Sequence, residues 1–385
     1  MSVTYQVNIL DRAGQVAIML DSTAFASLNY TRVLNDVGLC QLTLSVSPDK
    51  AGSEDTLTRL LQVDASFLGL TTIKDRLIEV LRFVDGQVQR EGTYILRYIR
   101  LFDDDDGRRW CILSGFSPEY FLLQRLIDVR NDSAGAGGYS TKSGPADSVM
   151  AEYVYEQAGP GAAAAQHVPG LTVRVAEGVG KTVGARQQWE GLLETLQMLA
   201  VNGEMDFRLE HVTGVEFEFV AEIIGADLTQ RNNYGQGTHF VVFSLVRGNM
   251  TRPNIELDWR TQKTDLALLG RGAGDNRELY GAMSGAVNET PYSYAMIAVD
   301  ARQNEDGDAT QYITQAREEL SKNRTKKAFN FELVNPSRQY RVFWDLGDRV
   351  TAEWDDYFSE DMRITAVEVN VEQEETITPT LEALV

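Results

Sequence analysis

The 385-residue chain is short of cysteine, histidine, positive charge and long apolar runs. Its two cysteines, Cys40 and Cys111, rule out a disulfide framework or a four-cysteine zinc site by count alone, and both sit in strand-like sequence as small apolar residues. No apolar run approaches the roughly 18–20 residues that span a bilayer, and the N-terminal MSVTYQVNILDRAG has no basic segment followed by an apolar one. Neither a membrane span nor a signal peptide is expected. Lys and Arg number 36 against 56 Asp and Glu, a net charge of −20. That excess opposes wrapping nucleic acid, whose affinity for proteins comes mainly from Lys and Arg, but it does not oppose DNA sliding past.

What is present is ordinary globular material: 43% hydrophobic and 24% charged residues, enough for two or three domains with packed cores. Residues 1–127 read as mostly β. Residues 24–46 hold two strand-like runs joined at Asn35-Asp36-Val37-Gly38, the second alternating Cys40, Leu42, Leu44 and Val46 with Gln41, Thr43 and Ser45. Strands are expected at 76–84 and 93–101, and Asp103 to Gly107 forms the charged tip of a hairpin that returns through 109–113. Ser117-Pro118-Glu119 opens a short helix with Tyr120, Leu123 and Ile127 at helical spacing. Residues 131–144, rich in Gly and Ser, read as a mobile loop, and 159–170 as a Gly/Ala/Pro linker. Helices are expected over 147–157 and 187–202, the second carrying Trp189, Leu192, Leu193, Leu196, Leu199 and Ala200 at three- and four-residue steps and stopping at Asn202-Gly203. Strands at 205–210, 215–223, 239–247 and 254–259 follow, then a Gly-rich stretch at 270–274. A helix over 309–323 leads to five short strands at 328–334, 340–345, 349–354, 362–372 and 376–381, the pattern of a small antiparallel barrel or sandwich.

No catalytic, cofactor-binding or metal-ligating residue emerges. Gly178-Val179-Gly180-Lys181-Thr182 resembles the end of a phosphate-binding loop, but Val175 stands where its first glycine belongs and no helical pattern opens at Lys181-Thr182, so a plain turn is expected. Calcium-loop spacing fails at both Gly107 and Gly307, which leaves Asp103–Asp106 and Glu305–Asp308 as solvated acidic tips. His167, His211 and His239 form no metal pair, there is no G-x-S-x-G elbow, and neither cysteine has a catalytic context. The chain reads as a non-enzyme.

Three blocks carry a family resemblance. The first is Leu28-Asn29-Tyr30 through Asn35-Asp36-Val37-Gly38 to Gln41-Leu42-Thr43-Leu44. The second is Ile78-Glu79-Val80, Tyr94-Ile95-Leu96, Leu113-Ser114-Gly115-Phe116-Ser117 and Leu122-Leu123-Gln124-Arg125-Leu126-Ile127. The third, preceded by the helical Ala316-Arg317-Glu318-Glu319-Leu320, is Trp344-Asp345-Leu346-Gly347-Asp348-Arg349-Val350-Thr351 with Arg363-Ile364-Thr365-Ala366-Val367-Glu368-Val369. In this order the chain resembles the tail-tip or baseplate hub proteins of tailed phages, including siphophage hubs, the N-terminal hub region of tail-associated lysins and the central hubs of contractile phages.

The resemblance implies an α+β, mainly β fold with two small β-barrel-like domains and helical, α+β insertions in the middle. The corresponding division is a hub domain at 1–128, a helical Gly-rich insertion at 129–204, a β-rich middle domain at 205–300, and a helix plus C-terminal barrel-like domain at 301–385. It implies a structural virion protein at the distal end of the tail, assembled in the host cytoplasm. Such a protein forms a homotrimeric ring that closes the tail tube and joins the tube or distal tail protein to spike, fibre or receptor-binding proteins. It opens for genomic DNA without specific nucleic-acid binding or any cofactor. The competing readings are the hub of a contractile tail or injection system, and a receptor- or carbohydrate-binding β module using Tyr292, Tyr294, Trp354 or Tyr357.

Overall fold

The computed structural model describes residues 2–11, 13–45, 75–131, 138–284, 290, 292–302 and 309–383. Seven strands come from the first third of the chain: β1 (Val3–Leu10), β2 (Val16–Asp21), β3 (Ser27–Val33), β4 (Leu39–Ser45), β5 (Leu77–Val84), β6 (Gln87–Asp103) and β7 (Arg109–Phe116). The period-two pattern works as expected in β4, where Cys40, Leu42 and Leu44 are buried while Gln41 and Thr43 face outward. Val46, the last residue of that alternation, lies outside the described residues, as do Glu305–Asp308 and residues 132–137. The acidic run 103–106 is a hairpin tip between β6 and β7, with Gly107 at φ +73° completing the turn.

A separate unit of helices and short strands follows. It comprises α1 (Tyr120–Leu123), β8 (Ser140–Pro145), α2 (Ala146–Gln157), β9 (Leu171–Val173), β10 (Thr182–Gln187), α3 (Leu192–Gly203), β11 (Asp206–Thr213) and β12 (Glu216–Glu222). Val149, Met150, Tyr153 and Val154 of α2 pack with Leu192, Leu196 and Leu199 of α3 and with Phe207 and Phe219. Each large apolar side chain buried this way contributes about 1.5–3 kcal/mol.

Two expectations change in this unit. Ser140 to Gly144 belong to a strand, β8, which pairs antiparallel with β10. The loop reading followed from a Gly/Ser composition with no apolar face, whereas the strand is held by its partner and by Lys142, buried and ion-paired to Glu152 and Glu156 at 3.0 and 2.8 Å. The second helix starts at Leu192 and not at Gln187, because Gln187 ends β10 and Trp189 takes φ +66°, a left-handed conformation that a helix cannot contain. Its end shifts by one residue, with Gly203 inside the helix and Glu204 in the left-handed cap.

The remainder holds α4 (Gln230–Asn233), β13 (Val242–Ser244), β14 (Met250–Asp258), β15 (Asp265–Leu269), β16 (Leu279–Met283), β17 (Met296–Asp300), α5 (Ala309–Lys322), β18 (Lys326–Leu333), β19 (Arg349–Trp354), β20 (Phe358–Val371) and β21 (Glu375–Ala383). Strands β16, β15 and β17 form a small sheet covered by α5, with Leu266 and Leu268 packed against Tyr312 and Ala316. The strand expected over 239–247 shrinks to β13, which runs parallel to β19. The one expected over 340–345 is a turn: Asn335 and Arg341 adopt φ +52° and +57°, and Tyr340 and Trp344 reach the core from a loop and not from a pleat.

The first and last thirds of the chain share one sheet. Its order is β14-β18-β21-β20-β3-β4-β7-β6-β5-β1-β2, with β19 beside β20 and β13 beside β19. The junction is the antiparallel pairing of β20 with β3, which sets Val369 opposite Tyr30 and Val371 opposite Leu28. One hydrophobic core runs through both parts, from Ile9 and Leu42 to Ile364 and Leu381. The chain is α+β and mainly β.

Candidate functional site: the seams between the units

Among the described residues no group of His, Cys, Asp and Glu is placed to hold a metal ion, and the most extensive buried polar networks lie where the units meet. Two polar seams do the joining alongside the apolar contact of Leu10, Leu77 and Ile95 with the helical unit. The first ties early strands to the late part of the chain. Arg82, in a strand whose only other charged residue is Glu79, has no exposed side-chain surface and donates to both carboxylate oxygens of Glu375, Nε to Oε1 at 2.6 Å and Nη2 to Oε2 at 2.9 Å. The Tyr5 hydroxyl donates to the same carboxylate. Glu91, also buried, accepts from the Tyr340 hydroxyl at 2.7 Å and from Arg341 at 3.3 Å. Arg32 reaches both the Tyr340 hydroxyl, at 2.8 Å, and Asp345, at 2.6 Å. Burial opposes the charge on Arg82, and its bonds to Glu375 overcome that and hold the guanidinium protonated. Burial likewise pushes the hydroxyls of Tyr30, Tyr94 and Tyr340 well above their ordinary value, so all three stay neutral; Tyr94 donates to the Thr31 carbonyl and Tyr340 to Glu91.

The second seam seats the hairpin β11–β12 against both β parts. Asp206, the first residue of β11, accepts from Arg363 at 2.5 and 3.1 Å, from Asn35 at 2.9 Å and from the Ile224 backbone N–H at 2.9 Å. Asn35 in turn accepts from the Phe207 N–H at 2.7 Å, so the turn of the early hairpin and the hairpin β11–β12 read each other directly. Midway, Glu119 accepts from the Leu209 N–H at 2.9 Å and from Ser117 at 2.5 Å; burial raises its pKa, and those two bonds pull the other way. At the far end His211 bonds Thr93 and the Gly214 carbonyl, and burial lowers its pKa.

Glycine backbones close the same seam. A Cβ on Gly14 would lie 2.2 Å from the Cα of Gly214, and one on Gly225 would lie 2.2 Å from the carbonyl carbon of Gly347. These approaches leave no room for a side chain, and Gly225 and Gly347 have φ of +88° and +92°. The Leu346-Gly347-Asp348 stretch within the third resemblance block therefore has a physical role: Gly347 admits Gly225, and Asp348 accepts the Ala226 N–H at 2.6 Å. A cleft of about 680 Å³ opens beside Asp206, lined by Asn35, Gln197, Arg349, Arg363 and Glu382.

The other residues weighed in the sequence lie apart from these seams, His211 excepted. The Gly178–Thr182 stretch is a turn running into β10; the N–H groups of Glu177 and Gly178 donate to Asp147 at 2.8 and 2.9 Å, and Lys181 pairs with Glu204. A carboxylate of the chain thus holds the amides that a phosphate would need. Asp104 at the acidic tip accepts from Arg108 and from the Trp110 indole. Cys40 and Cys111 are buried thiols, Cys111 pushed up to about 12. Trp354 packs on the core, while Tyr357 and Tyr292 are 87% and 94% exposed. Arg82 and Glu91 were not singled out in the sequence: Arg82 shares its strand with Glu79 and Glu91 follows Arg90, so neither stands out as a lone charge.

The sequence matches the family described as Siphovirus ReqiPepy6 Gp37-like protein over residues 6–381. No curated protein matches it. Among solved structures the fold is similar to the 43 kDa tail protein of prophage MuSo2 from Shewanella oneidensis, with a TM-score of 0.58, 12% identity, and 99% of this chain and 98% of that one covered. It is similar to the tail protein from Neisseria meningitidis MC58, with a TM-score of 0.55, 13% identity, and 98% and 96% covered. A chain of the Francisella PdpA-VgrG complex matches with a TM-score of 0.52 and 7% identity, covering 99% of this chain and 57% of that one.

Proposed function

The chain belongs to the Siphovirus ReqiPepy6 Gp37-like family, and from that membership we propose that it is the tail-tip hub of a long-tailed phage, a non-enzymatic component of the virion. The observation that carries this reading is the likeness of fold to phage tail proteins along essentially the whole of both chains. As a hub it assembles as a homotrimeric ring at the distal end of the tail, contacts the tube or distal tail protein on one side and spike, fibre or receptor-binding proteins on the other, and opens for DNA. The two β parts and the unit between them act as one rigid body in that ring, because buried ion pairs and glycine contacts fix their relative placement. An excess of twenty acidic residues suits a channel that genome phosphates must traverse without sticking.

Light scattering on the purified chain, with negative-stain images, tests the ring. A mass three times 42.9 kDa with a central opening is the expected result. A monomer that also fails to assemble on isolated tail tubes would refute it.

A further inference from the structure

His211 links the turn of the β11–β12 hairpin to the large sheet through its two ring nitrogens. Nε2 lies 2.8 Å from the carbonyl oxygen of Gly214 in its own turn, and Nδ1 lies 3.1 Å from the hydroxyl oxygen of Thr93 in β6. A carbonyl only accepts, so Nε2 carries the proton, and in the neutral ring Nδ1 accepts from Thr93. Thr93 is buried, and its hydroxyl has no other hydrogen bond among the described residues. The same turn is seated by Arg90, which donates to the His211 carbonyl at 3.1 Å, and by the close approach of Gly214 to Gly14.

Two charges act on the ring. Arg90 opposes a positive charge there and Glu79 favours one, but Glu79 is already held by Arg90 at 2.9 Å and by Asn8 at 2.8 Å. A cavity of about 360 Å³ beside the ring also brings in Arg32, Glu91, Glu119, Arg208 and Glu210. Each is engaged elsewhere: Arg32 with Asp345, Glu91 with Tyr340, Glu119 with the Leu209 amide, and Arg208 with Glu210. The ring is only partly buried and the cavity is large enough for water, so a proton reaches it without unfolding.

On protonation both ring nitrogens become donors. The bond to Gly214 survives, but Nδ1–H now faces the Thr93 hydroxyl, which must turn and leave its own proton without an acceptor. A positive charge also arrives beside the Arg90 guanidinium. We propose that His211 is an acid-released latch, which when neutral fastens the tip of the β11–β12 hairpin to β6 through Thr93 and when protonated lets that tip lift from the sheet. Asp206 and Arg363 keep the other end of β11 seated, so the movement hinges on that node. In the lifted turn the imidazole takes its ordinary value of about 6.5, whereas burial lowers it in the seated one. The latch is therefore fully closed above that pH and weakens as pH falls through 6.5 toward the lowered value. Glu119, midway along the same hairpin, acts with the opposite sign, since its raised pKa favours the seated form at low pH.

Histidine-labelled NMR and hydrogen exchange on the full-length chain test the latch. With three histidines there are three ring signals, and His167→Gln and His239→Gln, both outside the seam, assign the His211 signal by elimination even if His211→Gln fails to fold. That signal is expected to titrate below the ordinary value. From about pH 7.5 to about pH 5.5, protection corrected for intrinsic exchange is expected to fall in β11 and β12 and to hold in β3 and β4. His211→Gln, which keeps Glu119, is expected to lose that fall. A His211 signal titrating at or above the ordinary value overturns the proposal. So does β11–β12 protection that pH leaves unchanged, or that falls equally in His211→Gln.

Discussion

The unit built from α2, α3, β11 and β12 and the large sheet each hold together mainly by apolar packing, whereas the joint between them adds directional polar and backbone contacts to a smaller apolar one. Inside the unit the packing is apolar: Met150, Tyr153, Leu196, Phe207 and Phe219 are fully buried. Between it and the sheet the same apolar cluster takes in Leu10, Leu77 and Ile95, and to this are added directional joints: Asp206 with Arg363, Asn35 with the Phe207 amide, and glycine against glycine. Apolar burial is non-directional and makes each part stable, whereas bidentate ion pairs and backbone contacts admit one geometry. A body whose parts must keep a fixed mutual placement within a larger assembly has use for the second kind.

This contrast can be broken at several points. The largest effect is expected from Arg82→Met, which leaves the Glu375 carboxylate buried with only Tyr5 to hold it; the loss is about 3–5 kcal/mol in urea unfolding, and adding Glu375→Gln recovers most of it. Equal loss in the single and double variants would mean that packing, and not the charge, sets the cost. Next comes Gly225→Ala, about 3 kcal/mol or more, compared with Gly86→Ala, which has a similar φ of +82° but no atom within 4 Å and costs about 1–2 kcal/mol. The difference between the two isolates the close approach to Gly347.

Asp206→Asn keeps the shape of the node and removes its charge. About 1.5–3 kcal/mol is expected, concentrated as faster hydrogen exchange in β11 and β12 while β3 and β4 stay protected. The smallest effect concerns pH. Glu119 has its folded pKa raised from 4.5, so the folded chain binds more protons than the unfolded one over that interval. Stability attributable to Glu119 therefore falls as pH rises from about 4.5 through the raised value and is flat above it. Glu119→Gln removes that fall, and parallel melting curves of the two proteins across the interval would refute the assignment.

Much of the fold was legible in the sequence because period-two and helical patterns report burial directly: β4, β7, α2, β20 and β21 lie where Cys40, Cys111, Met150, Val367 and Ile377 indicate. What was illegible depends on partners. Strand β8 has no apolar face of its own, and Tyr340 with Trp344 imitates strand spacing from inside a turn. The seams were hidden for the same reason, since Arg82 finds Glu375 across 293 residues and Asp206 finds Arg363 across 157. The sequence around such residues cannot say where they go. The Leu-Gly-Asp turn was visible as a motif, while its purpose needed Gly225 beside it.

The most direct measurement is cryo-electron microscopy of intact particles carrying the chain, with density assigned at the tail tip. Three copies in a closed ring at the distal end are expected, each with β11–β12 seated against its own sheet through Asp206 and Arg363. The chain lining the tube along its length, or absent from the tip, would contradict it.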